Sequence, residues 1–400
     1  MAKKFGALGL LALMFIAVVL RTPVAPIGPL LPEIVSALAM TPAMTSALNS
    51  APVLCFGLGA FLSPWLVRRV GVNTGVFYVL VVLALSLAAR MIFGYAGLLV
   101  GTIGAGLAIA VANVLLPTVV RTNFKNHVAM VTGIYTTLLA VSASAAATLA
   151  VPSSALLGGW SQALAIWLAP TVLAILLWLP QVRATEQHVP KPAAAAIEEK
   201  AAVYRSPLTW AIVIFFGLQS LGFYSILGWL PTALISVGAT PEAAGGYLGF
   251  ATAIGIPFGL LVSAVLKRFE SQSFWAVGTS LLSLSGFVLY ALQMQQTYSE
   301  PLIIWACLLL GLGMSATFPI SLALISTRAS SQAQTTELST LAQGLGYLIS
   351  AVGTFAMGLL ANFTGTWFAG MAFLVVLTAI QAISGLYAGR PGSIPLRHLN

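Results

Sequence analysis

Runs of about 20 mostly apolar residues follow one another along the whole chain, and a helix of that length crosses a bilayer core of about 30 Å. Twelve such runs can be counted, the first over 5–35, the sixth over 164–180, the seventh over 208–235 and the last over 367–386. A chain so patterned is expected to be an all-α membrane protein of twelve transmembrane helices, because only helices satisfy their own backbone hydrogen bonds in lipid. Composition agrees: of 400 residues 59% are apolar and 6% charged, against about a quarter charged in soluble domains. A water-soluble enzyme is excluded. Cys55 and Cys307 both lie inside apolar runs and are expected to be buried core thiols rather than a disulfide or a metal pair. His127, His188 and His398 lack metal-ligand spacing, and no nucleophile elbow, Walker loop, dinucleotide fingerprint or paired-carboxylate site appears. The chain therefore calls for no cofactor and no metal.

Charge placement orients the spans. If the amino terminus is cytoplasmic, the even-numbered connections carry Arg68 and Arg69, Lys125, Lys191 and Lys200, Lys267 and Arg268, and Arg328. Glu33, Glu242 and Glu300 fall on the opposite side. Fifteen of the seventeen cations obey this one topology, with both termini inside. The net charge of +9 is thus a property of one membrane face and not a footprint for nucleic acid. Lys3 and Lys4 before the first run resemble a signal peptide, but the apolar stretch continues well past 15 residues, so an uncleaved first helix is expected.

The two halves of the sequence repeat one another. Leu31-Pro32 matches Leu230-Pro231, Thr41-Pro42 matches Thr240-Pro241, and Arg68-Arg69 matches Lys267-Arg268, each at an offset of 199. Farther along, Gly104-x-Gly106 with Arg121 matches Gly311-x-Gly313 with Arg328 at an offset of 207. The chain is expected to divide into an N-terminal six-helix half, 1–180, a polar cytoplasmic linker, 181–205, and a C-terminal six-helix half, 206–400. Parallel repeats of this kind place a substrate path between the halves, opened alternately to each side. The implied class is a secondary transporter.

Twelve spans in two halves, with the basic turn Arg68-Arg69-Val70-Gly71 and its partner Lys267-Arg268, resemble the major facilitator superfamily. The acid that usually precedes the arginines of that turn is absent, Pro64 and Trp65 standing there instead. The strings Leu20-Arg21, Ile27-Gly28-Pro29-Leu30-Leu31-Pro32-Glu33-Ile34, Asn113-Val114-Leu115-Leu116-Pro117, Tyr204-Arg205-Ser206-Pro207-Leu208 and Gly228-Trp229-Leu230-Pro231 are similar to the cyanate and 2-nitroimidazole permease family, the last two to its nitroimidazole branch. The resemblance covers nearly the whole chain and implies a cell inner-membrane permease, monomeric like others of the superfamily, whose partners are a small-molecule substrate and the bilayer. It fixes the family better than the substrate.

Arg21 is the most informative residue. Sixteen residues beyond Phe5 place it about 24 Å along the first helix, where an arginine costs roughly 2.5 to 3.5 kcal/mol on insertion scales unless it faces a wet cavity or a polar partner. In a continuous helix Ala17, Arg21, Ala25 and Gly28 share a face, and those small residues would leave room for a ligand. The competing reading is that Arg21 snorkels or bonds carbonyls freed by Pro23 and Pro26. The repeat pairs Arg21 with Ser220, beside Gln219 and Tyr224, while Gln343 and Tyr347 lie at similar depth in the eleventh span. Arg21, Asn113, Gln219, Tyr224, Gln343 and Tyr347 are the candidate substrate-binding residues, each weighed against a role in helix packing. Arg68, Arg69, Arg121, Lys267, Arg268 and Arg328 are expected to be gating or structural, the arginines at 121 and 328 suiting both a helix C-terminus and an anionic leaflet. Arg90, near the outer end of the third span, is expected at an interface or in a structural role.

There is no aspartate, and every glutamate lies at a helix end or in a loop, so coupling through a carboxylate buried within a span is not expected, although Glu33 and Glu337 remain possible proton sites. A cation without an acid suits two cargoes: a small anion such as cyanate, or a neutral polarised molecule whose nitro or carbonyl oxygens accept hydrogen bonds from Arg21. The resemblance favours the second, a 2-nitroimidazole-like or other small electron-rich compound, with export as a candidate direction; a permease for cyanate or another small organic anion bound by Arg21 is the alternative, and a channel the weakest class, since a rocking pair of repeats suits alternating access.

Overall fold

The computed structural model describes residues 7–124, 128–182, 201–266 and 268–395, and all regular structure among them is helical. The polar linker over 183–200, the three histidines and Lys267 lie outside the described residues, as do the side chains of Arg68 and Arg121. Among the described residues eleven helices are long and apolar enough to span a membrane, and two shorter apolar helices share the first run. Together these are the twelve crossings that the hydropathy pattern calls for.

The first crossing is divided. α1 (Ala7–Val19) and α2 (Ile27–Leu38) are separated by a turn through residues 20–26. Pro23 and Pro26 lack an amide proton and crowd the carbonyl four residues back, so two helical bonds within one turn of each other cannot form. The chain tightens instead: Val24 N donates to Arg21 O at 3.2 Å and Ile27 N to Val24 O at 3.2 Å, both three-residue closures. α3 (Pro42–Val70), α4 (Val72–Ala89), α5 (Gly94–Asn123) and α6 (Val128–Leu157) are long single helices, and the short α7 (Trp160–Ala165) precedes α8 (Leu168–Val182). α9 (Pro207–Ser236) is one unbroken helix of 30 residues. The eighth crossing is interrupted at Gly255 between α10 (Pro241–Ile254) and α11 (Ile256–Leu266), followed by α12 (Ser273–Gln293), α13 (Glu300–Arg328), α14 (Gln332–Thr364) and α15 (Trp367–Ala388).

The contacts divide the chain into two compact units, one of residues 1–189 with Leu227–Gly249, the other of Pro190–Ile226 with Phe250–Asn400. In the first unit α4 packs on α5 and α8, α3 on α5, and α1 on α6 and α8. Gly104 lies against Ser86 of α4, while Gly106 lies against Cys55 and Pro52 of α3, so the glycine pair lets α5 thread between two helices. In the second unit α12 packs on α13 and α15, and α13 on α11. There Gly311 faces Ala251 and Ile254 of α10, and Gly313 faces Ser283 of α12. The repeated string does the same job in both units with its two glycines exchanged. Cys55 and Cys307 are buried free thiols, and Cys307 Sγ lies 2.8 Å from the Tyr290 hydroxyl.

Candidate functional site

Arg21 sits in the turn between α1 and α2, half-buried, rather than on the face of a continuous helix. The helical-face argument from the sequence is corrected accordingly, because the two prolines change the direction of the side chains between Ala17 and Gly28. The small residues do not line an opening either: Ala17 and Ala25 are buried, and Gly28 is used up by a helix crossing. A Cβ on Gly28 would collide with the backbone oxygen of Leu227, so only glycine allows α2 and the end of α9 to meet there. Leu227 is the residue at offset 199 from Gly28. Repeat counterparts of the first and seventh crossings thus meet at this point.

The turn has a second cation that the sequence reading placed at an interface or in a structural role. Arg90, just beyond α4, is 2% exposed, and its Nη1 donates to the Pro23 carbonyl at 2.6 Å. Pro26 and the break deprive that carbonyl of a place in a regular ladder, and a charge-assisted bond from α4 replaces it. The Nε and Nη2 of Arg90 and the hydroxyl of Thr22 are buried without hydrogen-bond partners. The signal that could have found this arrangement was present: a second arginine within the apolar runs, and a proline pair whose freed carbonyls need donors.

The same unit joins α9 and α10 to the first helices at one end. Asn49 Nδ2 of α3 donates to Gly228 O at 3.3 Å, and Ser144 Oγ of α6 donates to Gly249 O at 2.8 Å. Gly245 approaches Ala147 and Pro29. Glu33 lies near this cluster at the surface, accepting from Ser154 Oγ at 2.7 Å and from the backbone N of Trp160 at 2.9 Å. It thereby ties α2 to the start of α7, a mooring role that the sequence did not suggest. Asn113 is half-buried on α5, in this first unit.

The other candidates belong to the second unit. Tyr224 of α9 and Tyr347 of α14 are brought together, ring centroids 6.1 Å apart, and Phe216 stands edge-on to Tyr347 at 5.2 Å. Gln219 Nε2 donates to the neighbouring Ser220 Oγ at 2.7 Å, and Gln343 Nε2 donates to Ser339 Oγ at 2.7 Å. Both amides keep their carbonyl oxygens for other donors.

The gating candidates diverge. Arg69 stacks on Trp65 with its guanidinium carbon 5.5 Å from the ring centroid, and Arg268 is exposed. Arg328 is 5% exposed and lies inside the fold rather than against a lipid leaflet. It donates to the backbone oxygens of Ala388, Gly389, Gly392 and Glu270 and to Gln272 Oε1, at 3.0 to 3.4 Å. The segment after α15 is thus stitched under α13, with Ile394 N returning a bond to Arg328 O at 2.8 Å.

The comparisons with known proteins bear on what such an arrangement serves. Residues 10–351 match the family model of the Major Facilitator Superfamily. The chain is 34% identical to a 2-nitroimidazole transporter of Escherichia coli over 96% of this chain and 95% of the relative. It is 25% identical to a cyanate transport protein of the same organism, covering 91% and 92% of the two chains. The crystal structure of a D-xylose-proton symporter superposes with a TM-score of 0.74 at 14% identity, over 98% of this chain and 99% of that one. The unwound first crossing, the paired counterparts Gly28 and Leu227 and these whole-length matches converge on one conclusion: the chain is a multi-pass membrane transporter that belongs to the major facilitator superfamily.

Proposed function

We propose that the chain carries a small, flat, polar solute of the 2-nitroimidazole kind by alternating access, with Arg21 as the principal substrate contact. The observation that carries this reading is the position of Arg21 in a proline-made break of the first crossing, half-buried and within the apolar run. A guanidinium there offers in-plane donors to nitro or carbonyl oxygens. The two repeat halves, 1–180 and 206–400, rock about the linker 181–205, the first contributing Arg21 and Asn113 and the second Gln219, Tyr224, Gln343 and Tyr347. The basic connections face the cytoplasm and the termini lie inside, in a bacterial inner membrane, and a monomer is the working unit. The contacts of Gly28, Asn49, Ser144 and Gly245 with residues 227–249 act as the gate on the side away from the basic connections.

A second reading, a small anion such as cyanate, draws support from the second cation, Arg90, at the same break. Uptake of labelled 2-nitroimidazole and of labelled cyanate into proteoliposomes with the membrane potential clamped separates the two. Saturable, voltage-independent flux of the neutral compound, lost in Arg21→Ala, is the expected result. Flux of cyanate alone, following the voltage, would replace the neutral cargo by an anion. Unchanged flux in a folded Arg21→Ala would remove Arg21 from the site.

A further inference from the structure

The second unit carries a groove whose lining includes none of the candidate substrate residues. It is about 690 Å³, runs between the start of α9 and the end of α15, and is walled by Trp210, Ile214, Ile380, Ile383 and Tyr387 with Arg205 among its lining residues. Its apolar walls are exposed, Ile383 at 58% and Tyr387 at 51%. The Trp210 wall is fixed, because Nε1 donates to Tyr204 O at 3.1 Å. Tyr204 is fixed in turn by its hydroxyl, which donates to Glu337 Oε1 at 2.6 Å.

Two cations attend one end of this slot. Arg205 lines it directly, and the guanidinium carbon of Arg390 sits 4.5 Å from the ring centroid of Tyr387, the aromatic that lines it. Stacking on a ring holds a guanidinium flat while leaving its N–H edges to donate. Among the described residues neither arginine has a carboxylate partner. An apolar slot lying along a membrane-spanning helix pair, with two guanidinium groups at the level of the helix ends, is complementary to one class of molecule. It has acyl chains to lay against isoleucine and tryptophan and a phosphate to meet arginine.

We infer that this groove is a binding site for an anionic glycerophospholipid, with the phosphate held by Arg205 and Arg390 and an acyl chain lying between α9 and α15. The site is separate from the substrate residues and stands whatever the cargo proves to be. Because α9 also carries Gln219 and Tyr224, an anionic lipid at its start would steady the helix on which those side chains are mounted.

The test uses the full chain, delipidated in detergent and supplied with phosphatidylglycerol or with phosphatidylcholine of identical acyl chains. Retained lipid is counted by native mass spectrometry, and the melting temperature is followed in parallel. Phosphatidylglycerol should be retained about tenfold more strongly than phosphatidylcholine and should raise the melting temperature. Arg205→Ala combined with Arg390→Ala should abolish the preference, and Ile383→Trp, which fills the slot without touching the charges, should reduce retention of both lipids. Arg205→Lys, which keeps the charge, should keep most of the preference and shows that the double variant fails by charge and not by misfolding. Equal retention of the two lipids, or a preference that survives the double variant, overturns the proposal. So does an equal rise in melting temperature with glycerol 3-phosphate alone, which would make the site one for a small free anion.

Discussion

The first and seventh crossings are counterparts in the repeat, yet one is broken and the other is a continuous helix of 30 residues. Both keep the Leu-Pro pair at 31–32 and 230–231, which α2 and α9 absorb without interruption. The difference lies earlier. Where the first crossing has Arg21, Pro23 and Pro26, the seventh has Ser220, Gly222 and Ser225. One proline within a membrane helix leaves a single amide gap that neighbours can mend, whereas two prolines three residues apart open a whole turn. Gly222 costs helix propensity but removes no bond, and it lets Phe287 and Met314 come close. The repeat thus preserves the crossing geometry at Gly28 and Leu227 while assigning the unwound segment, with its two cations, to one half only. Under the proposed function the labour divides accordingly: charge and an irregular backbone in the first half, aromatic rings and amides on regular helices in the second.

This contrast can be broken experimentally, and the largest effect is expected at the charge. Arg21→Ala should lower flux by about 10- to 150-fold, the worth of about 1.5 to 3 kcal/mol for a hydrogen bond to a charged group, whereas its counterpart Ser220→Ala should change flux by no more than about threefold. Comparable losses in the two variants would mean that the halves contribute alike. Grafting the seventh crossing's residues into the first, Pro23→Gly with Pro26→Ser, should heal the break. Hydrogen exchange at residues 20–26 should slow, and flux should fall about tenfold as Arg21 is swung onto a regular helix. Unchanged exchange rates would show that packing, and not proline, holds the turn open.

A smaller effect is expected where the counterparts touch. Gly28→Leu places in the first crossing the side chain that the seventh has at the same repeat position, and the overpacking should cost about 1 to 3 kcal/mol at the contact with Leu227. The gate should loosen, so that a cysteine introduced as Asn49→Cys reacts several-fold faster with an impermeant thiol reagent. No change in reactivity would dissociate that contact from gating.

The smallest effect is expected at the start of α9. Hydrogen bonding to the Glu337 carboxylate, with some help from burial and from its charge, pushes the Tyr204 phenol up to about 12. A group whose folded value is raised contributes its stability fully below its ordinary value near 10 and loses it as pH climbs through about 12. Below about pH 10 Tyr204→Phe should melt slightly earlier than the parent, by the small margin expected of an exposed pair; the difference should shrink from there and vanish above about pH 12. Ultraviolet titration that finds no late-ionising tyrosine lost in Tyr204→Phe would contradict this.

Much of the transporter was legible in the chain. Crossings announce themselves because each must be a self-satisfied helix about as long as the bilayer is thick. The repeat follows from subtraction, and Arg21 stands out because a charge within an apolar run is costly wherever it points. What the sequence left open were matters of direction. Hydropathy has no term for which way a side chain faces after two prolines, so the shared face of Ala17, Arg21, Ala25 and Gly28 did not survive the break at residues 20–26. Arg90 and Arg328 look alike as single cations near helix ends, yet one braces the turn through Pro23 and the other gathers the carbonyls after α15. Glu33 looks like a possible proton site but is engaged by Ser154 and the start of α7.

Length, polarity and repetition are one-dimensional quantities, so the number of crossings, the membrane setting and the transporter class were settled by the order of residues alone. Which carbonyl a buried guanidinium reaches, and which glycine is spent on a crossing, depends on helices distant in the chain. Arg90 and Pro23 are 67 residues apart, and Asn49 and Gly228 are 179 apart. Only packing brings such groups together, because a buried donor takes the acceptor that the fold sets within reach and not the one nearest in sequence.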